Sequence, residues 1–306
     1  MLNNFLLKKY GIAATDIAPA KRGYWGETWQ VQAVDNCYFV KLDYNYPHQN
    51  LYKNSLAVMG YLCDNGIDFI GKVVKTRDSE LYAHYETAVL AVFEWIDGEN
   101  VETDDTRTFE FQMLCKIYPL TKQGFNIPII EFSDNTAVKF LQKWNELKNA
   151  PSSEANNIVL SMLEGRSKDL HHRAARLSHF ASLCQNDMSN FYITHGDAGG
   201  NFFVGDDGKH YILDWDEVMY APLERDVWVM ACRHWARELF NDTLHENNIS
   251  YELRPERLAF FCYYMHFLFL YEFLNDFMLK GIVESISNEL SENSWIEERI
   301  NFADEL

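Results

Sequence analysis

The sequence predicts an α+β protein in which a small mixed β-sheet precedes a larger, mainly helical part. Residues 29–34 and 37–42 are short apolar runs that flank the turn pair Asp35-Asn36, a pattern typical of paired strands. From about Asp104 onward, apolar residues recur at helical spacing instead. The change of pattern lies near residues 96–98, so we expect an amino-terminal lobe of residues 1–96 and a carboxy-terminal lobe of residues 97–306.

The same patterns predict the individual elements in order. The first lobe should contain one helix, ended by the helix-stop pair Asn65-Gly66. Its predicted strands are residues 29–34, 37–42, 70–75 and 88–96, and its helix is residues 54–63. The second lobe should contain helices at residues 105–118, 131–147, 154–184, 224–240 and 254–281, with a last piece near residues 285–302.

Composition restricts the class of protein. With 306 residues, 47% of them hydrophobic, the chain can bury a sizeable core. The densest apolar stretch, residues 258–274, carries His266 and Glu272 and predicts a buried helix rather than a membrane span. The first nine residues lack the pattern of a signal peptide. Six scattered cysteines without a C-x-x-C pair indicate reduced thiols, and hence a cytoplasmic protein without a zinc site.

The formal net charge of −18 bears on the partners. It disfavours nucleic acid, whose binding proteins carry basic patches. It would attract a cationic small molecule by long-range electrostatics, although the acidity alone could serve solubility. We therefore expect neither a nucleic-acid nor a membrane partner, and the sequence leaves the oligomeric state open.

The most informative segment is residues 195–216, which read H-G-D-A-G-G-N-F-F-V-G-D-D-G-K-H-Y-I-L-D-W-D. Two apolar runs, residues 202–204 and 211–213, flank a Gly-Asp-Asp-Gly turn and predict a β-hairpin. A hairpin of this length returns the chain on itself. The side chains of Asp197, Asn201 and Asp214 should therefore converge at one end of it.

These residue types suit phosphoryl transfer from a nucleotide. That chemistry needs a carboxylate to accept the proton of the substrate hydroxyl, and an amide with a carboxylate to hold Mg²⁺ on the phosphates. The segment predicts Asp197 as the catalytic residue and Asn201 and Asp214 as metal ligands. Asp216 fits either a second metal ligand or a structural strut, and His195 is more typical of a structural histidine.

A nucleotide loop is predicted upstream. Gly23 and Gly26 lie between two predicted strands, where glycine lets the backbone approach phosphate closely, although a plain hairpin turn fits equally well. Lys41 follows on the next strand and is predicted to bind phosphate; an exposed position on the polar face of the sheet is the alternative. Further along, residues 93–96 fit the segment that joins the lobes.

The segment from residue 195 to 216 resembles the catalytic core of the aminoglycoside phosphotransferase and choline kinase family. The continuation I-L-D-W-D-E-V-M-Y-A-P-L-E-R-D-V-W, residues 212–228, is similar to the bacterial spectinomycin phosphotransferases. The resemblance implies a two-lobed protein-kinase-like fold that uses ATP and Mg²⁺. It matches Asp197 to the catalytic aspartate, Asn201 and Asp214 to the magnesium ligands and Lys41 to the strand lysine. It also implies adenine contacts through the main chain of Glu94 and Ile96, where an ordinary strand is the alternative.

Two features depart from the family pattern. Only three residues separate Asp197 from Asn201, where the family usually has four. In addition, residues 47–62 contain no Asp or Glu to pair with Lys41, and their polar candidates are Gln49, Lys53, Asn54 and Ser55. Either another group such as Asp214 holds the lysine, or the lobe is arranged differently.

The expected function is transfer of the γ-phosphoryl group of ATP to a hydroxyl of a small polar, cationic molecule such as an aminocyclitol antibiotic. The alternatives are a kinase for homoserine, choline, methylthioribose or a macrolide, and a catalytically lapsed nucleotide-binding relative. Candidate acceptor-binding acids are Glu238, Glu272 and Asp276, although acids on helices also serve solubility. Trp228, Trp235 and Tyr263 are candidate pocket walls, whereas Arg225 and Asp226 are expected to be structural.

Overall fold

The computed structural model describes residues 1–20, 26–101, 103–275 and 281–306, which gather into two compact units. The first unit comprises residues 1–129, 192–222 and 243–249. The second comprises residues 130–191, 223–242 and 250–306. The predicted lobe boundary at residue 96 stays a prediction.

The first unit contains all of the described strands. Its elements in chain order are α1 (Leu2–Tyr10), β1 (Ala14–Pro19), β2 (Gly26–Ala33), β3 (Cys37–Asp43), α2 (Gln49–Asp64), β4 (Val73–Val74), β5 (Ala83–Tyr85), β6 (Ala88–Glu94), β7 (Gly98–Asn100), α3 (Arg107–Ile117), β8 (Tyr192–Thr194), β9 (Phe202–Gly205), β10 (His210–Ile212) and β11 (Met219–Ala221). The main sheet has the order β1-β2-β3-β6-β4, with β5 also paired to β6. Every described pair in it is antiparallel, so this sheet is antiparallel rather than mixed.

The two faces of this sheet differ because side chains alternate along each strand. Val40 and Leu42 of β3 are fully buried in a cluster that also contains Leu6 and Tyr10 of α1. The intervening residue, Lys41, must therefore lie on the opposite face. This alternation places a cationic side chain beneath an otherwise apolar strand.

The predicted hairpin is observed. Strands β9 and β10 pair antiparallel, with Val204 opposite His210 and Phe202 opposite Ile212. Strand β7, which was not predicted, pairs with β9 and completes a three-stranded sheet in the order β10-β9-β7. Strands β8 and β11 form a separate antiparallel pair.

The second unit is helical. It contains α4 (Asn135–Lys148), α5 (Glu154–Gly165), α6 (Ser167–Gln185), α7 (Glu224–Ala231), the first part of α8 (His234–Glu246), α9 (Pro255–Asn275), α10 (Ile282–Glu289) and α11 (Trp295–Asp304). Helix α9 packs against α4, α6, α7, α10 and α11. Its buried residues, which include Leu258, Phe260 and Phe267, confirm the prediction of a buried helix over residues 258–274.

Several element boundaries differ from the prediction. Residues 154–184 form two helices because Arg166 leaves the helical conformation, with φ −106° and ψ 12°, directly after Gly165. Residues 224–240 are likewise divided between α7 and α8. The strand predicted over residues 70–75 is limited to Val73–Val74, the only part that pairs with β6. Helix α1 was not predicted, whereas β1 is a strand before the predicted nucleotide loop, where the sequence indicated one without bounds.

Two further sequence expectations concern membranes and thiols. Among the described residues, no helix combines the length and apolar character that a bilayer crossing requires. All six cysteines are free, and Cys115, Cys184, Cys232 and Cys262 are buried.

A buried polar network fixes the start of α7 in the second unit. Glu224 is fully buried and accepts hydrogen bonds from the Tyr251 hydroxyl at 2.5 Å and from the Arg254 backbone N–H at 2.7 Å. The Arg257 guanidinium donates to the Tyr251 hydroxyl at 2.9 Å and to the Asp187 carbonyl at 2.7 Å. Burial raises the pKa of Glu224 because it removes water from the carboxylate.

We expect Tyr251→Phe to destabilise the protein, because it removes a donor from a buried carboxylate. Hydrogen bonds to charged groups contribute about 1.5–3 kcal/mol, and we expect a loss of that size in the free energy of unfolding. Urea unfolding followed by circular dichroism measures it. Tyr46→Phe is the matched control, since Tyr46 is 83% exposed. Equal stability of the two variants would show that the network contributes nothing.

Candidate active site

Backbone hydrogen bonds bring the Asp197 loop and Asp214 together within the first unit. The Leu213 N–H donates to the Asn201 carbonyl at 3.0 Å, immediately before Asp214. His195 Nε2 donates to the Leu213 carbonyl at 2.8 Å. The loop and the end of β10 are therefore held side by side, while the convergence of the three side chains stays a prediction.

The shortened loop still places Asn201 against Asp197. The Asn201 side-chain amide donates to the Asp197 carbonyl at 2.6 Å, and a second contact to Asp197 Oδ2 measures 3.3 Å. The Asn201 N–H closes a tight turn on the Ala198 carbonyl at 3.1 Å. These bonds use only the nitrogens of Asn201, so its amide oxygen is the atom that can face a cation. Asp197 is exposed, as a base that meets a substrate must be.

His195 has a structural role, as its sequence context favoured, because its ring connects the backbones of Asp197 and Leu213. It is fully buried, and its ring lies edge-on to Trp215 with ring centroids 4.5 Å apart. Nδ1 accepts a hydrogen bond from the Asp197 N–H at 3.2 Å, while Nε2 donates to Leu213. One nitrogen accepts and the other donates, so the hydrogen-bond network assigns a neutral imidazole with its proton on Nε2.

Glycine is required at position 196, between His195 and Asp197. Its φ of +83° lies in the left-handed region, which side chains rarely adopt. A Cβ atom at this position would lie 2.0 Å from the Glu217 carbonyl oxygen. The loop can therefore pass this closely to residue 217 only with glycine at position 196.

Lys41 is buried between two carboxylates. Its Nζ lies 3.0 Å from Asp214 Oδ1 and 2.5 Å from Asp216 Oδ2, and it stands 5.7 Å from the centre of the Tyr52 ring. Burial disfavours the charged lysine, but the attraction of Asp216 and Asp214 outweighs it and raises the pKa of Lys41. Lys41 is thus paired with Asp214 and Asp216 rather than with a carboxylate on α2. This is the sequence alternative in which another group such as Asp214 holds the lysine.

The two carboxylates differ in environment. The Asp214 side chain is 52% exposed, whereas that of Asp216 is 12% exposed. Burial opposes ionisation of Asp214, but the Lys41 ammonium prevails and lowers its pKa. For Asp216, burial raises the pKa although Lys41 opposes the shift. Asp214 also has left-handed backbone angles, φ 60° and ψ 63°, which are strained for a residue with a side chain.

The polar residues of α2 have partners other than Lys41. Gln49 donates to the carbonyls of Asp43 and Thr87 at 2.9 and 2.7 Å. Asn54 donates to the Asn126 carbonyl at 2.6 Å, and Lys53 stands over the Tyr82 ring. The Ser55 hydroxyl lies 3.0 Å from the Asp216 carbonyl, to which it can donate. Helix α2 therefore reaches the site through a hydroxyl and the Tyr52 ring.

The remaining nucleotide candidates also lie in the first unit. Gly26 opens β2, and a Cβ there would lie 2.1 Å from the Leu42 carbonyl oxygen, so glycine is needed for the close approach of β2 and β3. Gly23 falls outside the described residues. The exposed Glu94 forms an ion pair with Lys72 at 2.7 Å, and its backbone N–H donates to the Lys72 carbonyl. Ile96 is half-buried two residues further on.

Sequence reasoning missed an aromatic surface beside Lys41. Phe39 lies two residues before Lys41 on β3 and pairs with Phe93 of β6, with ring centroids 6.1 Å apart. Trp95 adds a third ring 6.4 Å from Phe39. The alternation of β3 was the available signal, since residues 39 and 41 share a face. The ring planes are tilted by 49° and 45°, so an individual ring of this cluster, rather than one flat surface, could stack against a planar base.

The candidate acceptor-binding residues belong to the second unit. Glu238 is exposed and lies 3.0 Å from His234 Nδ1, Glu272 is half-buried on α9, and Asp276 falls outside the described residues. Tyr263 is fully buried and donates to Asp304, and Trp228 is also buried. Neither of these two can line an open pocket wall, so that expectation is wrong for both, whereas Trp235 is 39% exposed.

The donor set limits which metal could be held. Within the part of the chain that the structure describes, no three His, Cys, Asp or Glu side chains form a metal-binding group. Mg²⁺ is commonly bound by one or two carboxylates and by substrate phosphates. The Asn201 amide oxygen and the half-exposed Asp214 carboxylate fit that requirement.

The sequence match falls on this site. Residues 142–261 match the model of the phosphotransferase enzyme family, a range that contains Asp197, Asn201, Asp214 and Asp216. No curated protein sequence matches the chain significantly.

The fold is shared with solved kinases of low sequence identity. Spectinomycin phosphotransferase APH(9)-Ia, in complex with ADP and spectinomycin, aligns with a TM-score of 0.81 and 18% identity over 100% of this chain and 98% of that one. An aminoglycoside phosphotransferase from Alicyclobacillus acidocaldarius gives a TM-score of 0.61 at 12% identity, covering 96% and 94% of the two chains. Choline kinase LicA from Streptococcus pneumoniae gives a TM-score of 0.55 at 15% identity, covering 99% and 96%. At these identities the likeness establishes the fold.

The match over residues 142–261 and the shared fold confirm the resemblance found in the sequence. The chain has a protein-kinase-like α+β fold, and its segment 142–261 is similar to the phosphotransferase enzyme family.

Proposed function

We propose that the protein transfers the γ-phosphoryl group of ATP to a hydroxyl of a small cationic molecule, of the aminocyclitol class that includes spectinomycin. One observation carries the proposal: buried Lys41 contacts the half-exposed Asp214 at the end of the hairpin, and a backbone hydrogen bond from Leu213 holds the loop of Asp197 and Asn201 beside it. Phosphoryl transfer depends on positioning and charge stabilisation, which this set can supply. The free thiols of all six cysteines suit a reaction in the reducing cytoplasm.

Each residue has a separate task in this scheme. Asp197 accepts the proton of the acceptor hydroxyl, and its backbone is fixed by the bonds to His195 and Asn201. Lys41 binds phosphate oxygens. Asn201 and Asp214 hold Mg²⁺, which when bound neutralises charge on the phosphates.

The base of the nucleotide would lie against the face of the sheet that carries Phe39 and Lys41. Because the Glu94 N–H already donates to Lys72, only the Glu94 carbonyl is offered to the base as an acceptor. Ile96 would supply the donor through its N–H. Gly26, and Gly23 before it, would border the phosphates.

The cationic acceptor is supported by charge and by fold. The net charge of −18 favours the approach of a cation, and Glu238, Glu272 and Asp276 are the acids proposed to meet it. The TM-score is 0.81 with spectinomycin phosphotransferase, against 0.59 with macrolide 2'-phosphotransferase MphH and 0.55 with choline kinase LicA. A screen of aminocyclitols, amino alcohols and macrolides with ATP tests the choice of acceptor directly.

We expect Asp197→Asn to reduce turnover by at least about a hundredfold, the usual scale for loss of a general base. The fold and ATP binding should remain nearly intact, because the amide keeps the shape of the side chain. Steady-state kinetics with the best acceptor measures the loss. Asp206→Asn is the control, since it removes an exposed carboxylate from the turn of the same hairpin. Full activity of a folded Asp197→Asn protein would remove this residue from the mechanism.

Nucleotide binding should depend on Mg²⁺. We expect ATP affinity, measured by calorimetry, to weaken when Mg²⁺ is chelated, because the metal links the phosphates to carboxylate and amide oxygens. Asp214→Ala should abolish this dependence on Mg²⁺. An unmodified protein that binds ATP equally well with and without Mg²⁺ would contradict the assignment of Asp214 and Asn201.

We expect Glu272→Gln and Glu238→Gln to raise the KM of the acceptor and leave the KM of ATP unchanged. A charged hydrogen bond in a partly desolvated cleft contributes roughly 1.5–3 kcal/mol, which corresponds to about tenfold or more in KM. Glu284→Gln, on an exposed position of α10, is the control for loss of charge alone. If every variant keeps its acceptor kinetics, or if the preferred acceptor is uncharged, the cationic acceptor is refuted and one of the other kinases takes its place.

A further inference from the structure

We propose that Asp216 is the permanent counterion of Lys41 rather than a ligand of Mg²⁺. It takes the place of the carboxylate that residues 47–62, the part of the chain leading into and along α2 before Asp64, do not offer. This inference rests on the proposed function of the site. It makes Asp216 a positioning residue, which acts on the nucleotide through Lys41.

The contacts of the two aspartates with Lys41 are unequal. Asp216 Oδ2 lies 2.5 Å from Lys41 Nζ, against 3.0 Å for Asp214 Oδ1. Only 12% of the Asp216 side chain is exposed, so it offers little surface to a hydrated cation, whereas the Asp214 side chain is 52% exposed. Mg²⁺ usually keeps several of its water ligands, which favours the more exposed carboxylate.

The backbone of Asp216 is fixed in place. Residues 215–217 form one turn of 3-10 helix, and Trp215 is buried with its indole N–H donating to the Ile212 carbonyl at 2.8 Å. From the other side, the Ser55 hydroxyl of α2 lies 3.0 Å from the Asp216 carbonyl. The same hydroxyl lies 3.0 Å from the Leu51 carbonyl, so Ser55 connects α2 to the backbone of Asp216 through a shared hydroxyl.

The Tyr52 ring explains why the carboxylate comes from residues 215–217. Tyr52 is fully buried one helical turn before Ser55, and Lys41 Nζ stands 5.7 Å from its ring centre. The α2 face beneath Lys41 is thus an aromatic ring and a hydroxyl. A buried ammonium needs a carboxylate partner, and Asp216 is the partner that does not also face solvent.

The two aspartates would then have different roles when nucleotide binds. Asp214 can exchange Lys41 for the metal, because it is half-exposed and its bond to Lys41 is the longer one. Asp216 remains with Lys41 and keeps the ammonium oriented toward the phosphates. Loss of Asp216 should therefore impair the lysine and leave the requirement for Mg²⁺ unchanged.

A double-mutant cycle with Lys41→Met tests this division. We expect Asp216→Asn to lower kcat/KM for ATP by at least about tenfold in the native background and by less than about twofold in the Lys41→Met background, because residues that act through one contact are not additive. Additive losses would overturn the proposal. Calorimetry gives a second readout: the Mg²⁺ concentration that half-saturates the enhancement of nucleotide binding should be unchanged in Asp216→Asn and raised in Asp214→Asn. A Mg²⁺ requirement raised equally in both variants would make Asp216 a metal ligand.

Ser55→Ala is the variant to use if Asp216→Asn does not fold, as its thermal unfolding would show. It removes the hydroxyl from the Asp216 carbonyl and leaves all charges in place. We expect a smaller fall in kcat/KM for ATP with an unchanged Mg²⁺ requirement, and no fall at all would count against the proposal. Failure of the proposed function is distinguishable, because the native protein would then bind no nucleotide in the same calorimetric experiment.

Discussion

The burial of Lys41 is the constraint on which the rest of the site depends. An ammonium group that is withdrawn from water is costly unless carboxylates surround it. Here Asp214 and Asp216 supply that charge, and they lie 173 and 175 positions further along the chain. The main sheet and the hairpin segment must therefore fold against each other before the lysine has partners. The contacts of Lys41 with Asp214 and Asp216 therefore form only when the first unit has folded.

The loop that carries Asp197 is fixed by a different kind of interaction. Neutral His195, the Asn201 amide and the Leu213 backbone form a chain of hydrogen bonds that uses main-chain groups of Asp197, Asn201 and Leu213. Such bonds set the path of the backbone and leave the Asp197 carboxylate exposed. This explains how a loop with three intervening residues, rather than the usual four, still brings Asn201 against Asp197. Gly200, with φ 110°, permits the tighter path, and the hydrogen bonds fix it.

The sequence predicted those parts of the fold and site that follow from local patterns. The hairpin, the strand that carries Lys41 and the buried helix over residues 258–274 each have a clear periodicity or turn signal. Strands β7, β8 and β11 have three residues each, too few for alternation to show. The break at Arg166 follows Gly165, and the Arg166 side chain then contacts the distant Leu290 carbonyl, which no local pattern encodes. The distinct environments of Asp214 and Asp216 likewise follow from tertiary burial.

The charge balance of the site also explains why the metal would matter so much in this chain. Asp197, Asp214 and Asp216 outnumber Lys41, so the hairpin end carries net negative charge in a protein that is itself strongly acidic. A nucleotide triphosphate approaching such a site is repelled, and one lysine that is already paired with two carboxylates offsets little of that repulsion. A divalent cation held by Asp214 would change the balance, because it would offset the charge of the acids and of the phosphates. The same negative charge that opposes bare nucleotide attracts a cationic acceptor, and a single electrostatic arrangement therefore suits both substrates of the proposed reaction.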